Sequence, residues 1–123
     1  MDRTICTVNV RGIGNKQKRN EVFQWLKLKN FDICLLQETH LQACKNHIWE
    51  KEWGGQSFYS GTSSNANGVA ILVNPNITTN NVSFNEICEG RLIALELSLN
   101  DTELVIINIY GPNNDDIKLF KKN

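Results

Sequence analysis

Phe31-Asp32-Ile33-Cys34-Leu35-Leu36-Gln37-Glu38-Thr39-His40 passes from an apolar run with almost no polar alternation straight into four polar residues. Such a run suits a strand buried on both faces, and its abrupt end puts Glu38 where a rigid strand gives way to a loop. Upstream, Thr4 to Val10 alternates Ile5, Thr7 and Asn9 with Cys6, Val8 and Val10, the pattern of a first strand, which Gly12 and Gly14 close. Between the two, Asn15 predicts a helix N-cap. Val22, Phe23, Trp25 and Leu26 recur at helical spacing before Lys29, and Asn30 supplies a left-handed C-cap. Strand, helix, strand makes a βαβ unit.

Downstream, residues 41–53 predict a short helix carrying Trp49 and Trp53. Gln56 to Gly61 and Gly68 to Val73 read as two strands joined by the Ser/Asn-rich turn at 62–67. After the break at Asn74-Pro75-Asn76, Val82–Ile87, Leu92–Leu99 and Glu103–Ile109 read as three more strands, the last two joined by a hairpin turn at Asn100-Asp101. Asp115 to Asn123 reads as the start of a helix. The expected fold class is therefore α+β, a βαβ unit followed by antiparallel strands, within one domain over residues 1–123.

Composition sets the outer bounds. At 123 residues, 41% hydrophobic and 21% charged, the chain is an ordinary globular domain with a packed core. Thirteen basic residues balance thirteen acidic ones, so no global charge draws it to a polyanion. Locally the sums are +5 over residues 1–30, −8 over 31–117 and +3 over 118–123. A nucleic-acid surface is therefore local, and Arg11, Lys16, Lys18 and Arg19 are its candidates; a solvated helix face is the other meaning of such a run. No apolar run approaches the ~20 residues that span a bilayer, and no signal-peptide core follows Met1, so an intracellular location, nuclear or cytoplasmic, is expected, with no membrane partner. Cys6, Cys34, Cys44 and Cys88 form no CxxC pair and read as buried free thiols. His40 and His47 lack the spacing of a zinc site and read as surface or core residues. Gly12-Ile13-Gly14 lies between strand and helix as a phosphate loop would, without the remaining residues of either phosphate-binding fingerprint.

Polar residues gather where apolar strands finish. Asn9 ends the first strand, Glu38 follows Leu36 by two, and Tyr110-Gly111-Pro112-Asn113 follows Val105-Ile106-Ile107-Asn108-Ile109. If these ends share one edge, one carboxylate, two carboxamides and a phenol converge. Mg²⁺ is served by one or two carboxylates with waters and substrate phosphate, and Tyr and Asn donate to phosphate oxygens. Each residue also has a plain structural meaning: Glu38 as a solvated residue or helix cap, Asn9 and Asn113 as turn formers, Tyr110 as a half-buried anchor.

Thr7-Val8-Asn9-Val10-Arg11-Gly12, Leu36-Gln37-Glu38-Thr39-His40, Gly68-Val69-Ala70-Ile71-Leu72-Val73 and Asn108-Ile109-Tyr110-Gly111-Pro112-Asn113, in that order and spacing, resemble the endonuclease/exonuclease/phosphatase superfamily. The nearest likeness is to the apurinic-endonuclease-like, reverse transcriptase-associated domain of LINE-type (non-LTR) retrotransposons. The resemblance implies the N-terminal half of a four-layer αββα sandwich that cleaves phosphodiesters of DNA with Mg²⁺ or Mn²⁺. It assigns Asn9 and Glu38 to the metal, and Tyr110 and Asn113 to the scissile phosphate. Arg11 stands where relatives often carry Asp or Asn.

The later Asp-x-Asn and Ser-Asp-His segments of that family have no counterpart here. The expectation is a chain inactive by itself, marginally stable, with the apolar faces of Ile33–Leu36 and Val105–Ile109 uncovered unless a complementing C-terminal half or another protein covers them. Two alternatives are a non-catalytic half-domain that binds nucleic acid or protein through residues 1–30, and a small nucleotide binder using Gly12-Ile13-Gly14.

Overall fold

The computed structural model describes residues 3–41, 46–62 and 67–111. Strand β1 (Ile5–Asn9), helix α1 (Lys16–Lys29) and strand β2 (Ile33–Gln37) form the expected βαβ unit, with the strands parallel and Ile5 opposite Ile33. The Asn15 side chain accepts the Lys18 N–H at 3.0 Å, while Asn30 takes φ 58° and donates its N–H to the Lys27 carbonyl. Both helix ends are thus satisfied by asparagine. Phe23 and Leu26 turn inward. Trp25, one helical step off that stripe, stays 46% exposed and tilts against Phe31 instead of joining the buried face.

Helix α2 (Asn46–Trp53) leads to β3 (Ser57–Ser60) and β4 (Val69–Val73). β4 inserts between β2 and β3, antiparallel to both, so the first sheet has the order β1-β2-β4-β3. Every residue of β4 is buried, as a central strand covered on both faces requires. Cys34, Leu36, Ala70 and Leu72 face a cluster that includes Phe23, Leu26, Trp49 and Trp53 of the helices, and Trp53 Nε1 donates to the Val73 carbonyl at 2.9 Å.

Strands β5 (Thr79–Cys88), β6 (Leu92–Leu99) and β7 (Thr102–Ile109) form a second, antiparallel sheet in that order. Asn100 and Asp101 both have positive φ, 47° and 66°, the backbone of a two-residue hairpin turn. β5 begins at Thr79 rather than Val82 and carries two register irregularities. The alternate face of the first sheet, Ile33, Val69 and Ile71, packs on Ile93, Leu95 and Ile106 of the second.

That packing corrects one expectation. Ile33, Cys34 and Leu36 are fully buried, because this chain contains strands of both sheets and the second covers the first. Of the two segments expected to be uncovered, it is alternate residues of β7 that are bare, Val105 at 65%, Ile107 at 57% and Ile109 at 37% exposure, while Ile106 and Asn108 between them are buried. The described residues therefore stack as helices, first sheet, second sheet, an α+β architecture. The helix expected over 115–123 lies outside them. Among the described residues no helix is long and apolar enough to cross a membrane.

Candidate active site

A cleft of about 660 Å³ opens where the ends of β1 and β2 approach the end of β7. Asn9, Glu38 and Tyr110 all line it. Three of the four predicted site residues therefore meet at one edge; Asn113 lies outside the described residues.

The loops carrying them are tied together by backbone. Past the strand ends, Val10 N–H donates to the Gln37 carbonyl (3.0 Å), Gly12 N–H to Glu38 (2.6 Å) and Ile13 N–H to Thr39 (2.8 Å). From the other side Thr39 and His40 donate to the carbonyls of Gly68 and Asn67. Gly12 has φ 87°, and a Cβ there would come within 2.6 Å of His40 Nδ1, so the close approach of the two loops needs glycine.

Four of the seven described non-glycine residues with positive φ are Asn or Asp in turns, caps and a bulged strand; the other three are Arg11, Glu38 and His40, all in these two loops. A left-handed Arg or Glu costs about 1–3 kcal/mol and persists only where the surroundings impose it. Here the bonds on either side of residue 38 impose it.

Glu38 Oε2 accepts a hydrogen bond from Asn9 Nδ2, and Asn9 Oδ1 accepts the Arg11 N–H at 3.0 Å. The Asn9 oxygen accepts from backbone and its amide hydrogens point at the carboxylate. Asn9 orients Glu38, which is the only carboxylate among the described lining residues. One oriented carboxylate beside an open, polar cleft fits a small hard cation that retains its waters. Among the described residues no group of three or more His, Cys, Asp or Glu offers a closed cage.

Tyr110 is half-buried; its ring packs against the inter-sheet core and its N–H donates to the Arg91 carbonyl at 2.8 Å. Arg11, Lys16 and Lys18 are exposed, and Lys18 Nζ donates to the Arg11 carbonyl at 3.1 Å, which ties the lysine to the loop that follows Asn9. Arg19 departs from the expected basic surface. It is 7% exposed; Nε and one terminal nitrogen grip Glu52 at 2.5 and 3.2 Å, and the other terminal nitrogen donates to the carbonyls of Ile13 and Gly14. Its guanidinium fastens α1 to α2 and to the loop before it, so it is withdrawn from nucleic-acid contact.

Cys6, Cys34 and Cys88 are free thiols, and Cys44 lies outside the described residues. Burial raises the Cys6 thiol, and burial followed by the neighbouring Cys6 pushes Cys34 up to about 12. Gln37 and Asn108 also line the cleft, and sequence reasoning passed over both. A signal was present: Leu104, Ile106 and Asn108 occupy one face of β7, so the asparagine interrupts an inward apolar series.

Comparisons with known proteins bear on the family and the fold. Residues 6–107 match the Endonuclease/Exonuclease/phosphatase family. A 149 kDa protein of transposon TX1 from Xenopus laevis is 26% identical over 112 residues, which is 91% of this chain and 9% of that protein. The AP endonuclease of Archaeoglobus fulgidus superposes with a TM-score of 0.63 at 28% identity, over 90% of this chain and 42% of its own. Truncated TDP2 from Caenorhabditis elegans shares the fold at a TM-score of 0.64 and 18% identity, over 95% of this chain and 49% of its own. This chain spans less than half the length of each of these relatives. With the family match running from β1 through most of β7, and the cleft at the strand ends, the chain belongs to the endonuclease/exonuclease/phosphatase family.

Proposed function

We propose that this chain is the N-terminal part of a Mg²⁺- or Mn²⁺-dependent DNA endonuclease of retrotransposon type, and that the 123 residues alone do not hydrolyse DNA. The observation that carries the reading is the pairing of Asn9 with Glu38 across a cleft that Tyr110 also lines. Glu38 would hold the cation, Asn9 keeps its carboxylate turned into the cleft, and Tyr110 with Asn113 donates to the scissile phosphate. Bound there, the cation supplies Lewis acidity and lowers the pKa of a bound water. Arg11, Lys16 and Lys18 contact the flanking phosphates. What supports the inactivity clause is that the chain aligns with less than half of each of these structural relatives.

Supercoiled plasmid and an abasic-site duplex, incubated with the chain and Mg²⁺, should remain intact. Cleavage that disappears in Glu38→Ala would overturn the inactivity clause and support the site; cleavage that survives Glu38→Ala would overturn both. The exposed cations that follow Asn9 favour one second reading, a non-catalytic DNA-binding half-domain. It expects DNA affinity that survives Glu38→Ala, with the salt slope falling by about 1 for each of Arg11, Lys16 and Lys18 neutralised.

A further inference from the structure

We infer that Asn108 and Gln37 are positioning residues that hold Tyr110, on the second sheet, in register with Glu38, on the first. The inference rests on the cation-and-phosphate reading of the cleft.

Asn108 is 1% exposed, yet every polar atom of its side chain is used. Its Nδ2 donates to the carbonyls of Leu36 (2.9 Å) and Ala70 (2.8 Å), and its Oδ1 accepts from Gln37 Nε2 (2.8 Å). Leu36 and Ala70 face each other across β2 and β4, so one amide from β7 is bonded to two strands of the opposite sheet at a single level. Gln37 Nε2 also donates to Thr7 Oγ1 at 2.9 Å, which extends the tie to β1.

The inter-sheet core beside it is Ile33, Ile71, Ile93, Leu95 and Ile106, apolar side chains that attract without fixing a register, and a second polar tie between the sheets is Ser60, which donates to Glu86 and accepts the Gly90 N–H. A leucine at 108 would continue that packing. A satisfied buried amide adds little net stability over such an isostere, but it accepts only one alignment. The location is telling: Glu38 lies two residues beyond Leu36, and Tyr110 two beyond Asn108. Each site residue is therefore about 7 Å along its strand from the same three hydrogen bonds. A slip between the sheets would carry the phenol away from the carboxylate, and a misplacement of about 1 Å already costs on the order of 10²-fold in a positioned reaction.

The test uses the 123-residue chain with Mn²⁺ as the only ligand, and reads paramagnetic broadening by NMR at the Glu38 amide and at the Tyr110 ring. The wild type should lose both signals together. In Asn108→Leu, Mn²⁺ affinity and Glu38 broadening should be unchanged while Tyr110 broadening falls several-fold. Gln37→Met, a change on a half-buried residue, should give a smaller loss in the same direction and serves if Asn108→Leu does not fold. Restoring an amide as Asn108→Gln should recover part of the Tyr110 effect, which mere core packing would not do. Equal Tyr110 broadening in wild type and a folded variant would overturn the inference while leaving the site intact. No Mn²⁺ effect at Glu38 in the wild type would remove the site reading, and the inference with it.

Discussion

Glu38 makes the clearest case for function at the scale of one residue, because its backbone is in a region that a purely structural residue would avoid. At φ 52° a glycine relieves strain of about 1–2 kcal/mol against an entropy cost of about 0.5–1. Glu38→Gly should therefore leave the thermal midpoint unchanged or higher while abolishing Mn²⁺ binding; a lower midpoint with binding retained would contradict the assignment. Cys34 gives a pH prediction. Its thiol is pushed from 9.0 to about 12 in the folded state, so the unfolded chain loses this proton first as pH rises. The contribution of the neutral thiol is complete below about pH 9 and is lost as pH climbs towards 12. Urea midpoints should fall over that window in the wild type and fall less in Cys34→Ala; parallel curves would contradict this. Asparagines were legible residue by residue: Asn15, Asn30 and the Asn100-Asp101 turn act through neighbours within a few positions. The part Asn9 plays was not, since whether its amide presents oxygen or nitrogen to Glu38 is decided by the backbone N–H of Arg11.

Helix α1 shows where the reading of elements succeeds and where it stops. Its caps and its Phe23–Leu26 stripe follow from local spacing, but the inward turn of Arg19 depends on Glu52, 33 residues away on α2. Removing one partner of a buried ion pair costs about 3–5 kcal/mol, whereas an exposed lysine change stays within about 0.5. In chemical denaturation Arg19→Ala should accordingly unfold far earlier than Lys16→Ala, and DNA affinity should respond to Lys16→Ala instead. Equal stabilities would show that the α1–α2 clasp contributes nothing. Strand pairing was legible only for neighbours. The hairpin of β6 and β7 is local, but the insertion of β4 between β2 and β3 joins segments more than thirty residues apart, and alternation says nothing about which strand lies alongside. The length of β5 was misjudged for a related reason: Asn80 and Asn81 have low strand propensity, and the start of the strand is held by the pairing of Thr79 with Leu99 and of Asn80 with Ser98.

Across the whole molecule, the two sheets cover each other and leave a specific remainder: β7 is an edge strand of eight residues whose outward side chains include Val105, Ile107 and Ile109. The strand has no proline, lysine or arginine to discourage pairing, whereas β5 at the opposite edge carries two register irregularities. Concentrated samples should self-associate through β7. Ile107→Lys should reduce light scattering without lowering the thermal midpoint, and scattering unchanged by that substitution would locate the contact elsewhere. The family resemblance was legible because its motifs sit at strand ends, while the coverage of Ile33–Leu36 was not, because the sequence does not say which sheet receives the later strands. The most direct measurement of the central claim is a Mn²⁺ titration followed across all assigned backbone amides, in wild type and Glu38→Ala. The first signals to vanish should be those of residues 9–12, 38–40 and 110–111, with none of them affected at equal Mn²⁺ in Glu38→Ala. Broadening centred instead on Glu86, Glu96 or Glu103, or an identical pattern in the two proteins, would contradict a cation site at this cleft.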